Sequence, residues 1–343
     1  MNIRFWPSLQ LIANVKIALV ILRNFCTYIF SEEGCIELQC MNQILSSLHL
    51  PNVMKKRTKG VIRALCNEVE NWWDCHEEYL LEADRDYWNR IRWYSHGTIN
   101  KFETARAFIA DENINIRQRF YLAYAYYLEE DAWILWEKMT DYDVFILKYY
   151  LTSRNVRPWL HSILLRVPLN WSIISQAALS ENFHEFDSCD LFYTNPLGLS
   201  HAFPKLENPE ARFQSISLTI KSEKIHRFDL FLCLTQMDDS ELDCAFHRLM
   251  EKEKYAVILS FLYWPLQCIF KDIIERFRNN LSHSFYIELF TFILREKLES
   301  GCLDHDYVDL VKELWGPIPS NFKSKIKGNQ IFQHLKPILG LNE

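Results

Sequence analysis

The chain has 343 residues, a formal net charge of −6 and an apolar fraction of 49%. It is therefore long enough to bury at least one sizeable core, and it lacks the overall basic charge of many nucleic-acid-binding proteins. Only 8 residues are glycine, whereas 15% are aromatic, which leaves few residues for the glycine-rich loops that hold phosphates and cofactors. The 10 cysteines include no Cys-x-x-Cys pair, which predicts reduced thiols and a cytoplasmic protein.

The first apolar segment predicts an amphipathic helix over residues 8–30. Its polar residues fall on one half of a helix at about 100° per residue, and Lys16 and Arg23 interrupt the apolar run. Because a membrane span needs about 20 largely uncharged residues, we expect no membrane role. A short helix over residues 35–48 should follow, ended by Pro51.

Residues 61–95 predict one long helix or two adjoining helices. The basic residues just before them, from Lys55 to Arg63, are expected to form a solvated helix start, although residues 56–59 also resemble a nuclear-import signal. Acidic residues and tryptophans surround His76. We interpret them as a solvated acidic face beside an aromatic core face, because the His-x-x-x-His spacing of helical metal sites is absent. We therefore predict no metal and no cofactor.

Two capping-box spacings predict a helical hairpin over residues 97–139. Asn100 precedes Glu103 by three residues, and Asn115 precedes Gln118 in the same way. The apolar stripe of the second helix has helical spacing and continues through Met139. A hairpin of this size must stack on neighbouring helices to bury both faces.

Helices are next expected over residues 142–152, 157–166 and 169–181, followed by a break over residues 186–210. Three prolines and a glycine in this window predict a loop or a domain boundary. It separates an N-terminal lobe (1–185) from a C-terminal lobe (211–343). Long ordered loops often carry recognition residues, and the candidate binding-surface residues here are Tyr193, Asn195, Leu197 and Leu199.

The C-terminal lobe repeats the hairpin pattern. Asp238 and Glu241 form a third capping spacing, which leads into a helix through Met250, and Pro265 should end or kink the apolar helix before it. Phe285, Leu289 and Ile293 form a helical stripe, and Asp304 is expected to cap a helix that runs to Trp315. The sequence thus predicts an all-α fold, an irregular α-solenoid-like array of helical hairpins in two lobes.

No P-loop, dinucleotide-binding, nucleophile-elbow or zincin motif occurs in the sequence. Residues 278–283 resemble the Arg-Asn-x-x-x-His motif of HEPN ribonucleases, which are also all-helical. The resemblance implies that Arg278 binds the scissile phosphate, that His283 is the general acid/base and that Asn279 orients the pair. Alternatively, Arg278 and Asn279 end one helix, Ser282 caps the next and His283 lies in its first turn.

The segment from Trp93 to Ile109, with Arg119-Phe-Tyr-Leu-Ala and Trp133-x-x-Trp-x-x-Met after it, is similar to a family of all-helical proteins that are numerous in arachnids. The likeness is strongest over residues 90–140 and weaker over residues 210–315. It supports the helical fold and implies no activity. We therefore expect a non-enzymatic helical-repeat interaction protein with a protein partner; RNA is a partner only in the HEPN alternative.

Overall fold

The computed structural model describes residues 4–29, 38–77, 80, 89–153, 157–177, 197–221 and 225–341. The regular secondary structure of these ranges is helical, with no β-strand, and one isolated β-bridge joins Trp93 to Ile99. The predicted all-α class is therefore confirmed.

The α-helices of the first half follow one another closely. In chain order they are α1 (Leu9–Ile29), α2 (Leu38–Ser47), α3 (Asn52–Asp74), α4 (Lys101–Ala110), α5 (Ile116–Ala125), α6 (Glu129–Lys138), α7 (Asp141–Ser153), α8 (Arg157–Leu165) and α9 (Trp171–Ala177).

The second half is built in the same way, with short 3₁₀ turns at Phe203–Lys205, Leu266–Ile269 and Arg278–Asn280 and a π-helix at Ile293–Glu299. Its α-helices are α10 (Leu199–Ala202), α11 (Pro209–Lys221), α12 (Arg227–Thr235), α13 (Asp239–Arg248), α14 (Glu251–Ser260), α15 (Phe270–Phe277), α16 (His283–Phe292), α17 (Tyr307–Trp315), α18 (Ser320–Lys327) and α19 (Ile331–Ile338).

Helices α1, α2 and α3 pack together around a small core of their own. Val15, Leu22 and Leu65 are fully buried there, which confirms α1 as an amphipathic helix. None of the helices in the described ranges is long and apolar enough to cross a membrane. The basic residues 55–63 lie in the first half of α3, as expected.

Of the one long helix or two adjoining helices predicted over residues 61–95, the first part is present in α3, which ends at Asp74. Residues 78–79 and 81–88 lie outside the described residues. The residues directly after Asp74 turn the chain and insert the ring of His76 into the core, where it is fully buried. Residues 91–100 are extended and turned around Gly97, whose φ of 85° suits glycine. Trp93 therefore belongs to an extended segment packed on the core, whereas Trp72 and Trp73 lie in α3.

The hairpin predicted over residues 97–139 is present as α4 and α5, with a third helix after it. The Asn100 side chain accepts a hydrogen bond from the Glu103 amide, as predicted, whereas Asn115 accepts one from the Arg117 amide rather than from that of Gln118. The predicted stripe does not run unbroken into α6, because Tyr127 has a φ of 55°, which ends the helical path.

A large core extends from Val69 to Leu335. The described part of the predicted 186–210 loop is helical over residues 199–205, and α11 begins with Pro209, whose fixed φ suits a first helical position. Phe203 and Leu206 are fully buried in the large core. This part of the segment thus belongs to the packed array, whereas the division into two lobes stays a prediction.

Several C-terminal predictions are confirmed, and three are corrected. Asp238 caps α13 through the Glu241 amide, and the stripe headed by Phe285 is buried. However, α13 ends at Arg248 and Met250 begins a new helix, while α14 ends at Ser260, before Pro265. The cap of α17 is Asp306 rather than Asp304. The reason is that Asp304 Oδ2 accepts a hydrogen bond from Gln267 instead, at 2.6 Å.

Candidate functional site

A buried ion pair joins the two halves of the chain. Lys101, at the start of α4, donates from Nζ to Oδ2 of Asp229 in α12 at 2.8 Å, and both side chains are only 9% exposed. The other oxygen, Oδ1, accepts from Ser200 Oγ at 3.3 Å. Because a buried charge is costly unless it is paired, this contact fixes α4 against α12.

A second polar contact links α3 to the same end of α12. The Nδ1 atom of His226 accepts a hydrogen bond from the Phe228 amide, so the ring donates through Nε2 to Oε1 of Glu68 at 3.0 Å. Oε2 of Glu68 accepts from the Ile99 amide. Burial raises the pKa of Glu68, but the contact with His226 and the Lys101 charge outweigh it and lower the pKa overall. Glu68 is thus a buried carboxylate.

Two cavities, each of about 290 Å³, lie on either side of this contact. The first is lined by the Lys101–Asp229 pair, His201 and His226. The second lies between α3 and the π-helix, and its lining includes Glu68. Because Glu68 lines one cavity and His226 the other, their hydrogen bond forms part of the wall between them. The second cavity also carries three basic side chains: Arg63, Arg227 and Lys297.

The His76 region is a core contact and not a ligand cluster. Nδ1–H of His76 donates to the Trp72 carbonyl, and Nε2 accepts from the Tyr126 hydroxyl at 2.7 Å. Burial lowers the pKa of His76 to about 3, so the ring is neutral. Across the described parts of the chain, no group of three or more His, Cys, Asp or Glu side chains could hold a metal ion.

The residues of the HEPN-like motif lie at a helix junction. Arg278 and Asn279 are in the 3₁₀ turn after α15, Ser282 caps α16 through the Phe285 amide, and His283 is the first residue of α16. The Arg278 guanidinium donates to the Pro317 carbonyl at 2.5 Å.

The Arg278 and His283 side chains contact different neighbours. The ring of His283 lies 6.1 Å from that of Phe322. Arg278 lines a cavity of about 190 Å³ whose lining does not include His283. The motif residues therefore occupy the helix-end positions expected in the alternative interpretation.

The candidate binding residues of the 186–210 segment are only partly described. Tyr193 and Asn195 lie outside the described residues. Leu197 is 8% exposed and lines the first cavity, and Leu199 is fully buried, so their assignment to a binding surface stays a prediction. Their apolar side chains join the large core, because the chain is already folding back onto α12 at this point.

Sequence reasoning missed an exposed apolar surface on three neighbouring helices. Its members, which we call the α6–α8 surface, are 53–67% exposed. They are Ile134, Tyr142, Phe145, Leu164 and Leu165. Both α6 and α7 contact α8, and an ion pair between Arg166 and Glu137 ties the end of α8 to α6. Apolar periodicity indicates that such residues are helical but does not show which of them are buried, so no sequence pattern distinguishes this surface.

The comparisons with known proteins give no relative for this chain. No family model matches it, no curated protein matches it, and no solved structure matches it.

Proposed function

We propose that this chain is a non-enzymatic, cytoplasmic helical-repeat protein that binds a protein partner through the α6–α8 surface. The observation that carries the proposal is the exposure of large apolar side chains on three adjoining helices. Tyr142 and Phe145 are each 67% exposed, and Leu165 is 60% exposed. Large apolar side chains exposed on neighbouring helices are typical of an interaction site.

The charge around this surface indicates the chemistry of the partner. Helices α6 and α7 have two basic residues, Lys138 and Lys148, and α8 adds Arg157. The acidic residues of these helices are Glu129, Glu130, Asp131, Glu137, Asp141 and Asp143. Arginine and lysine side chains from neighbouring segments pair with three of these acids. Glu130 and Asp141 are exposed and make no ion pair with any described residue. An amphipathic helix with basic flanks would therefore complement the surface in both apolarity and charge.

The resemblance to arachnid helical proteins adds no activity to this proposal.

The charged contacts at the junction of α3, α4 and α12 support the proposed non-enzymatic role indirectly. Lys101 pairs with Asp229, and His226 pairs with Glu68. Such pairing is typical of a structural contact between helices.

Crosslinking mass spectrometry on the full-length protein, captured from cells that express it, tests the proposal. The test variant carries Phe145→Asp and Leu165→Asp, and the control carries Val53→Asp, which changes an apolar residue of α3 that is 78% exposed. We expect crosslinks from a basic helical segment of a partner to α6–α8 in the wild type and the control, and their loss in the test variant. Crosslinks that persist in the test variant would contradict the proposal.

The HEPN-like ribonuclease stays an alternative prediction without a structural observation in its favour. It requires His283 and Arg278 to act on one phosphate, and their side chains contact different neighbours. RNA bound in the same capture experiment should be sequenced. Enriched RNA with defined ends that disappear in a His283→Ala variant of unchanged melting temperature would favour the nuclease and count against the interaction module.

A further inference from the structure

The second cavity contains a buried lysine without an acceptor. Lys297 is only 5% exposed, yet its ammonium makes no hydrogen bond or ion pair with the described residues. Its Nζ atom lies 4.0 Å from the ring centroid of Tyr263 and farther from the rings of Phe292 and Tyr307. Aromatic faces attract a cation but do not replace the hydrogen bonds that an ammonium loses on burial.

Two arginines add positive charge to the same cavity. The Arg227 guanidinium carbon lies 3.2 Å from the centroid of the Tyr263 ring that Lys297 also contacts. Arg63 lines the cavity from α3. Within the described part of the chain, neither arginine has a hydrogen-bond or ion-pair acceptor. Like charges held around one ring repel each other unless an anion lies between them.

The carboxylates that line this cavity make no ion pair with its three cations among the described residues. Glu68 uses both oxygens, for His226 and for the Ile99 amide. Asp304 Oδ2 accepts from Gln267 and from the Tyr307 hydroxyl, whereas its buried Oδ1 has no hydrogen-bond partner. Glu296 is exposed at the rim. Three basic groups are thus available to a ligand. The nearby acids limit how much negative charge that ligand can carry.

The local backbone supports a built site. Lys297 lies in the π-helix Ile293–Glu299, and π-helical turns are rare and frequently occur at functional sites. Opposite it, α3 approaches the 301–304 turn so closely at Gly60 that no side chain fits there. These two features bring Lys297 and Arg63 to the same cavity from segments that are far apart in the chain.

We propose that this cavity binds the oxyanion group of a small organic phosphate or carboxylate, held by Lys297, Arg227 and Arg63, with the Tyr263 ring as a flat wall. A volume of about 290 Å³ is at the lower end for ligand pockets, which favours a small molecule. Arginine forks bind carboxylate and phosphate oxygens in pairs, and the lysine adds a point charge. The site uses none of the residues of the α6–α8 surface.

Isothermal titration calorimetry on the full-length chain tests this site with two probes, inorganic phosphate and succinate, at constant ionic strength. The test variant is Lys297→Met, which keeps the length of the side chain and removes the buried charge. The control is Lys312→Met, at an ion-paired lysine that is 51% exposed and does not line the cavity. We expect at least one probe to bind the wild type and the control equally, and to bind Lys297→Met at least about tenfold more weakly.

Each result decides the question. Tighter binding of phosphate identifies a phosphate site, and tighter binding of succinate identifies a carboxylate site. If neither probe binds the wild type at about 10 mM, a dissociation constant far weaker than most specific sites, the proposal is wrong and Lys297 is a structural residue. Equal binding to the wild type and Lys297→Met would overturn it as well. If Lys297→Met does not fold, Arg227→Gln replaces it as the test variant, and we expect it to bind the probe more weakly than the wild type as well.

Discussion

Gly60 lies directly against the backbone of Leu303. A Cβ atom at residue 60 would stand 2.3 Å from both the carbonyl carbon and the carbonyl oxygen of Leu303. Real Cβ atoms do not approach backbone atoms so closely, so a side chain here would force α3 away from the turn that precedes α17. This contact positions the second cavity, because Gly60 and Leu303 both line it.

Gly60→Ala should therefore destabilise the protein even though alanine favours a helix interior by about 1 kcal/mol over glycine. We expect a net loss of roughly 1–3 kcal/mol in the free energy of unfolding, the usual cost of overpacking, measured by urea denaturation. Gly316→Ala is the matched control, because its nearest atom would lie at an ordinary 3.7 Å. A Gly60→Ala protein as stable as the wild type would show that the close approach is not rigid.

The Lys101–Asp229 pair should show a large coupling energy. Lys101→Met leaves the Asp229 carboxylate buried with only the Ser200 hydroxyl as a described side-chain partner, so we expect a loss of about 3–5 kcal/mol. The double variant Lys101→Met/Asp229→Leu should regain most of the stability that Lys101→Met loses, because no unpaired charge remains. Thermodynamic double-mutant cycles from urea denaturation measure the coupling.

The exposed pair Lys312–Asp309 is the comparison for that cycle. Its side chains are 51% and 66% exposed, and such pairs contribute less than about 1 kcal/mol. The prediction is wrong if the effects at Lys101 and Asp229 are additive, with no more coupling than at the exposed pair. That result would mean that water reaches the buried ion pair and that the pair does not hold α4 against α12.

Local signals predicted the helices and most of their caps. Asn100, Asp238 and Ser282 cap the helices that follow them, because the donors lie within three residues and need no tertiary contact. Asp304 failed as a predicted cap, and its Oδ2 accepts instead from Gln267, which is 37 residues away in the chain. Capping spacing is thus reliable only where no distant group competes.

The candidate sites depend on contacts that the sequence pattern does not encode. Glu68 and His226 are 158 residues apart in the chain, and Lys101 and Asp229 are 128 apart. Lysine at residue 297 looks like an ordinary charge on a helix surface, and only the π-helical turn and the fold around Tyr263 bury it. Periodicity could therefore establish the fold class without locating either cavity.

The buried ring of His76 makes stability depend on pH. Its pKa is lowered to about 3 in the folded protein from an ordinary value of 6.5, so the unfolded chain binds more protons between these two values. Stability should accordingly fall as the pH decreases below 6.5. At pH 5 the contribution of this one ring is a loss of about 2 kcal/mol relative to neutral pH.

His76→Gln retains an amide donor for the Trp72 carbonyl and an acceptor for the Tyr126 hydroxyl, and it does not titrate. We expect the variant to be less stable than the wild type at pH 7.5 because of poorer packing. Between pH 7.5 and 5, however, it should lose about 2 kcal/mol less than the wild type does. Urea denaturation at intervals across this range measures both quantities.

The pH range over which stability changes distinguishes His76 from the other buried titratable groups. Glu68 has a lowered pKa, so its stabilising contribution is complete above its ordinary value of 4.5 and is lost only below it. Burial lowers the pKa of His96 to about 4, but that ring is present in both proteins and cancels in the difference. If His76→Gln has the wild-type slope, the His76 ring is protonated in the fold, and its hydrogen bond from Tyr126 cannot form as described.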